Sequence, residues 1–181
     1  VAKPKKARFV DTMDASAYTR GIRRTIVIHN IEEMHFIEDL GLFFEQMGMP
    51  RMTGRVLGTI LIADEISLSL NDLCDTLGAS KSAVSVAARH LVAEGLLEPA
   101  HAPVPRRDYF RFKSGGWLTF MRSRMEIMAA LHEIADRGLA LKKNADPALR
   151  IRIEEAHDIF EFVEKEFPDW LARMSAKRKA K

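Results

Sequence analysis

One cysteine, Cys74, in 181 residues rules out an internal disulfide, and a lone free thiol suits a reducing cytoplasm. Polar aromatics are as sparse. Tyr18, Tyr109, Trp117 and Trp170 are the only tyrosines and tryptophans, too scattered to suggest an aromatic cage by spacing. No stretch nears the roughly 20 apolar residues of a membrane span. The best, residues 56–63, reads as a buried helix segment, so no membrane partner is expected. The basic N-terminus lacks the apolar core of a signal peptide, which fits a cytoplasmic location. There is no Cys-x-x-Cys, no phosphate-binding glycine loop and no nucleophile elbow. His29, His35, His90, His101, His132 and His157 include no histidine pair at i, i+4 with a third ligand nearby in sequence. No enzymatic activity, metal or cofactor is therefore expected.

The composition is that of a globular protein, long enough for one compact domain with an appended helical part. The formal charge is +3 and the pI about 9.1, which permits nucleic-acid binding without demonstrating it.

The most informative stretch is residues 69–112. Ser69 caps a short helix over 70–77, with Asp72 at its positive first turn. Leu70, Leu73, Cys74 and Leu77 share one face at amphipathic spacing. Gly78-Ala79 makes a tight turn, and Ser80 caps a second helix ending at Gly95. Two helices joined by so short a glycine turn form a helix-turn-helix. A wing follows: a strand starting at 96–98, a Pro-interrupted basic loop over 99–107, and a return strand over 109–112 with period-2 alternation. The expected fold is mainly α (α+β), a winged helix-turn-helix with flanking helices.

The second helix has two chemically distinct sides. Val84, Ala88 and Leu91 can bury against Leu73 and Leu77. Ser82, Ser85, Val86 and Arg89 face the other way, where short polar groups and a cation can approach base edges in a major groove. Lys81 and the Ser80 turn would sit on phosphates, and Arg106 and Arg107 in the wing would reach the minor groove or its phosphates. Six basic residues between 80 and 113 (Lys81, Arg89, Arg106, Arg107, Arg111, Lys113) face three acids (Glu94, Glu98, Asp108). That surplus equals the charge of the whole chain and sits on the module that would need it.

These residues carry a family likeness. Ser80 to Ser85, His90-Leu91, Glu94-Gly95-Leu96-Leu97 and the basic wing resemble MarR-type winged-helix transcriptional regulators. The preceding Gly48-Met49-Pro50-Arg51-Met52-Thr53-Gly54-Arg55-Val56-Leu57-Gly58 is similar to the GbsR branch, where a Gly-x-Pro-Arg-x-x-Gly-Arg segment opens the helix before the motif. The likeness spans roughly residues 30–113. It implies a homodimeric bacterial regulator of double-stranded DNA, with a pseudo-palindromic operator and quaternary-amine effectors in the branch. Val86 stands where many relatives carry Arg or another polar residue, which leaves base reading to Ser82, Ser85 and Arg89.

The rest divides into a flexible basic arm (1–24), the DNA-binding domain with leading helices (25–113) and a helical dimerisation region with a basic tail (114–181). The arm is either an ordinary disordered terminus or a DNA-reaching segment. A helix over 31–47 precedes one opening at Pro50 and running to about 64, and residues 66–68 are a candidate short strand. Over 117–142, Leu118, Met121, Met125, Met128, His132, Ala135 and Leu139 step by three and four. Asn144-Ala145-Asp146-Pro147 then caps a last helix with Leu149, Ile153, Ala156, Phe160, Val163, Phe167, Trp170 and Met174 in the same rhythm. Ile127, Leu131, Ile134, Ile159 and Phe162 add more apolar surface than one antiparallel pair can bury, which points to a subunit interface. Pro168 is expected to kink or restart the last helix.

Met34, Phe44, Trp117, Met121, Met125 and His132 are either ordinary core packing or the wall of an effector pocket. His132 reads more readily as a hydrogen-bonded core residue than as a ligand, and Cys74 as a small buried thiol rather than a redox sensor. His90 is either a phosphate contact or a half-exposed helix residue. The favoured function is a sequence-specific, DNA-binding transcriptional regulator. The alternative is a winged-helix protein–protein interaction module without DNA binding, which an acidic or apolar recognition face would favour.

Overall fold

The computed structural model describes residues 30–101 and 108–179. The basic arm, Arg106, Arg107 and the end of the basic tail lie outside them. The described chain forms α1 (Ile31–Gln46), α2 (Arg51–Ile62), β1 (Leu68–Ser69), α3 (Leu70–Leu77), α4 (Lys81–Ala93), β2 (Leu97–Ala100), β3 (Tyr109–Phe112), α5 (Gly116–Leu141) and α6 (Pro147–Lys179). This is a winged helix-turn-helix followed by a long helical hairpin. No described helix is long and apolar enough to cross a membrane.

The chain enters α1 through Asn30, whose side-chain oxygen accepts from the Glu33 amide at 2.8 Å, with Glu32 and Glu33 at the positive end of the helix dipole. α2 crosses α1 at unusually close range because small residues meet there. A Cβ on Gly54 would lie 2.1 Å from the Leu40 carbonyl oxygen, and one on Gly58 would lie 3.0 Å from the Ile37 Cα. Glycine is required at the first of these positions for want of space. Pro50 is the N-cap of α2 rather than its first helical residue; its missing N–H costs nothing at either place.

The core lies under the helix-turn-helix. Phe44 from α1, Val56 and Leu57 from α2, Leu73 from α3, Val84, Ala88 and Leu91 from α4, and Leu96 are all fully buried. The sheet runs β1-β3-β2, antiparallel throughout. Three boundaries differ from expectation. The short strand begins at Leu68, not Ile66, which is exposed. α4 ends at Ala93, two residues before Gly95. β2 continues through Pro99, which pairs with Phe110, instead of breaking there. β2 is an edge strand, so the missing proline N–H leaves no interior ladder bond unmade.

In the hairpin, the Asp146 carboxylate accepts from the Ala148 amide at 2.8 Å and starts α6. Pro168 neither ends nor restarts that helix, which runs unbroken to Lys179. Pro168 and Glu164, whose carbonyl loses its partner, are both exposed, so water can take the place of the lost helical bond. The expected seam is covered only in part: Ile127, Leu131, Ile134, Leu149, Ile159 and Phe162 all remain exposed in the single chain.

Candidate nucleic-acid interface

Ser69 and Asp72 form a reciprocal capping box. The Asp72 carboxylate accepts from the Ser69 amide at 3.0 Å and the Ser69 hydroxyl accepts from the Asp72 amide at 3.1 Å, which fixes where α3 begins. Gly78 then turns the chain at φ 57°, a conformation that glycine adopts without Cβ strain. The Ser80 hydroxyl accepts from the Ala83 amide at 3.3 Å and lies 3.2 Å from the Ser82 hydroxyl. The start of α4 is thus set by its own first turn.

Burial divides α4 as its sequence periodicity requires. Val84, Ala87, Ala88 and Leu91 are inside, while Ser80, Lys81, Ser82 and Arg89 are exposed and Ser85 is half-buried. Val86 is 55% exposed in the middle of the outer face. No acidic residue occurs from Ser80 to Ala93, and Arg89 forms no ion pair with any described residue. The helix N-terminus adds its positive dipole end to the same surface. His90 is half-exposed, with Nε2 3.6 Å from the Glu94 carboxylate.

Acids bordering this face are already paired. Glu94 accepts from Arg124 of α5, and Glu98 accepts from Arg111 at 2.7 Å across directly paired positions of β2 and β3. Arg111, counted above among the cations of the module, is therefore locally neutralised. Arg106 and Arg107 fall outside the described residues.

The first turn of α5 is pressed against the end of α4. A Cβ on Gly95 would come within 2.5 Å of the Thr119 methyl, and one on Gly116 within 3.1 Å of the Gly95 and Leu96 carbonyl oxygens. Arg124, besides reaching Glu94, lies 4.6 Å from the centre of the Phe120 ring, within cation–π range.

The segment from Gly48 to Gly58 has a structural role that its spacing did not disclose. Arg51 and Arg55 each donate at 2.7 Å to opposite oxygens of Glu38 on α1. Arg55 also reaches the Leu77 carbonyl oxygen, at 3.4 Å, at the end of α3. Burial pushes the Glu38 carboxyl up, but the two guanidiniums outweigh it and hold its pKa below the usual carboxylate value. One carboxylate thus ties α1 to the helix before the motif. Glu38 drew no attention in the sequence because its partners lie 13 and 17 residues away.

The suggested pocket residues are spread over the fold. Phe44 is completely buried and stacks on Phe120 at 6.2 Å, and Trp117 meets the same ring edge-on at 6.3 Å. Met34 is exposed on α1, whereas Met121 and Met125 are half-buried on α5. His132 lies 15 residues beyond Trp117, about 22 Å along the helix, and pairs with Glu164 of α6 at 2.6 Å. A groove of about 340 Å³, open and apolar, lies between α5 and α6 and includes Leu131, Ile134, Ile153 and Phe160. Cys74 is half-buried; desolvation chiefly, with Asp75, pushes its thiol up, away from the thiolate a redox sensor needs.

Comparison with known proteins agrees with this architecture. Residues 47–108 match a model of the MarR family. Residues 115–177, the hairpin, match one described as MmpR5-like MarR family transcriptional regulator. The chain is 34% identical over 142 residues to the HTH-type transcriptional regulator MmpR5 of Mycobacterium tuberculosis, covering 78% of this chain and 86% of that one. It is 29% identical over 89 residues to the putative HTH-type transcriptional regulator YvaV of Bacillus subtilis, covering 49% and 50%. A crystal structure of a transcriptional regulator superposes with a TM-score of 0.69 at 33% identity, covering 80% of this chain and 99% of the other. With its helix-turn-helix, three-stranded wing sheet and helical hairpin, the chain belongs to the MarR family of transcriptional regulators.

Proposed function

We infer that the protein is a sequence-specific DNA-binding regulator acting as a homodimer. The observation that carries this reading is the outer face of α4: a capped, acid-free helix presenting Ser82, Ser85 and Arg89 to solvent. In this reading those three residues read base edges, and Val86 rests against a thymine methyl. Ser80, Lys81, Arg106 and Arg107 hold phosphates. Residues 25–113 form the DNA-binding part and 114–181 the dimerisation part. Support for the dimer comes from the apolar side chains left exposed on α1, α5 and α6, among them Phe36, Phe43, Ile134 and Phe162. Two recognition helices related by a two-fold axis call for a pseudo-palindrome with half-sites about 10–10.5 base pairs apart.

The GbsR-like placement belongs to the same proposal and rests on the segment from Gly48 to Gly58 alone. So does control by a small molecule: a ligand on the half-buried Met121 and Met125 face would act on the helix that abuts the end of α4.

Binding of the purified protein to a labelled fragment from upstream of its own gene, against random DNA and with a salt titration, tests this reading. We expect a specific complex whose affinity falls steeply with salt, and footprinting should show a two-fold symmetric site. Binding that shows no preference over random DNA, or none at low salt, would return the outer face of α4 to the protein-interaction alternative.

A further inference from the structure

Two imidazoles and a carboxylate converge where α5 meets α6, far from the recognition helix. His132 and Asp136 stand one turn apart on α5, and His157 faces them from α6. One donor atom from each lies within 4.8 Å of the other two. The rings of His132 and His157 are 4.9 Å apart, edge to face. Both imidazoles are largely shielded, with side chains 17% and 21% exposed, while Asp136 is 58% exposed.

Each ring already has one nitrogen held by a carboxylate. His132 Nδ1 lies 2.6 Å from the Glu164 carboxylate, and His157 Nδ1 lies 3.0 Å from that of Asp158. Carboxylates placed in this way fix the ring and its tautomer, so that Nδ1 carries the proton and Nε2 presents a lone pair; metal-binding histidines are oriented by the same device. Both rings of the cluster have it. The His157 Nε2 also sits 3.2 Å from an Asp136 oxygen. In that tautomer these are two acceptors facing each other, a pair that is satisfied by a proton on Nε2 or by a metal ion between them. Nitrogen and oxygen ligands on one tetrahedral zinc ion are about 3.3 Å apart, which this separation matches. The surroundings suit a cation as well: Asp158 and Glu164 add negative charge, and the nearby Lys165 is taken up by Glu161 at 2.7 Å.

We propose that His132, Asp136 and His157 bind one divalent first-row transition-metal ion, zinc by preference. Two imidazole nitrogens and one carboxylate oxygen supply the protein ligands, and solvent completes the tetrahedron on the open Asp136 side. The ion joins α5 to α6 across the hairpin. Histidine spacing alone misses the site, because the i, i+4 pair is mixed, His132 with Asp136, and the third ligand comes from the next helix. The metal site does not rest on the DNA-binding reading.

The test uses the full-length chain, stripped with a chelator and titrated calorimetrically with zinc chloride alone. One ion per chain is expected. His132→Ala and His157→Ala should each weaken binding at least 100-fold. Glu164→Gln, which leaves the ligands intact, should weaken it about 10–100-fold. His35→Ala, on the exposed face of α1, should change nothing. Side-chain NMR of the unaltered protein gives a second reading that no variant's folding can obscure: zinc should shift the resonances of His132 and His157 among the six histidines. No uptake by the unaltered chain, uptake retained by the His132/His157 double variant, or shifts confined to other histidines would each overturn the assignment.

Discussion

From α2 to α4 the winged unit buries its apolar stripes within one chain, as Val56, Leu57, Leu73, Val84 and Leu91 show, whereas α5 and α6 bury only Phe120 and Ala135 among their large and small apolar side chains. The two regions have similar apolar periodicity, so the difference comes from geometry. The winged unit has elements around its core, closed by Ile37 and Phe44 of α1 and Phe120 of α5. A two-helix hairpin covers one seam and leaves the flanks open. The winged unit is therefore sealed as a single chain, and the hairpin leaves apolar side chains such as Ile134 and Phe162 exposed in it.

Deleting everything after Asn144 is the harshest way to break this contrast. If the proposed dimer forms through the hairpin, the truncated chain should be monomeric and expose apolar surface on α1 and α5, with poor solubility. Light scattering after gel filtration would show it, and a well-behaved truncated dimer would place the interface elsewhere. Gly54→Ala attacks the other side of the comparison. A Cβ 2.1 Å from a backbone oxygen cannot be relieved by a side-chain rotation. We expect a loss of about 3 kcal/mol or more, at the upper end of overpacking effects, seen as a drop in the melting temperature. A glycine tolerant of alanine there would mean that α1 and α2 slide apart cheaply.

A matched pair sharpens the comparison further. Leu73→Ala in the sealed core should cost about 2–5 kcal/mol in chemical denaturation. Ile134→Ala, at a side chain 54% exposed in the single chain, should leave the winged unit's unfolding unchanged and raise the dimer dissociation constant. Equal effects on both transitions would show that the two regions unfold as one. Arg89→Ala should cost on the order of 1–3 kcal/mol of preference for operator over random DNA, with no change in either melting transition. Specificity that survived it would move base reading to other residues.

The smallest effect concerns Glu38. Its pKa is lower in the folded chain than the ordinary 4.5, so its contribution is complete above that value and disappears as pH falls through the lower, folded one. Glu38→Gln should cost about 1 kcal/mol or less at neutral pH, as expected of a pair near the surface. It should also reduce the acid slope of stability below about pH 4.5, a comparison that urea melts at a series of pH values can make.

What could be read from the sequence was set by local rules. Ser69, Gly78 and Ser80 fix the ends of α3 and α4 through contacts within three or four residues, so caps and turn were visible without a structure. The inner and outer faces of α4 followed from periodicity. What escaped depends on partners distant in sequence or on position within the sheet. Glu38 finds Arg51 and Arg55 only when α1 folds against α2. Pro99 is allowed in β2 because β2 lies at the edge of the sheet, with β3 on one side only. His157 reaches His132 only across the hairpin. Pro168, by its usual effect, is expected to kink or restart the last helix; the helix is not restarted there, since water can take the place of the bond lost at the exposed Glu164 carbonyl. Composition could not show that the Met and aromatic residues of α1 and α5 separate into a packed ring cluster at Phe120 and a solvent-facing set at Met34.

The abutment of Gly95 on Thr119 and Gly116 makes the root of α5 a fulcrum. With 26 residues, α5 is a lever of about 39 Å. A tilt of about 10° at its glycine root would swing the far end by about 7 Å, and in a two-fold dimer both levers swing together. One turn of duplex measures only about 34–36 Å, so in the proposed dimer such a tilt would change the span between paired recognition helices by a sizeable part of the groove spacing. In that assembly the glycine joint, rather than any side chain touching the duplex, would be the setting of the calliper.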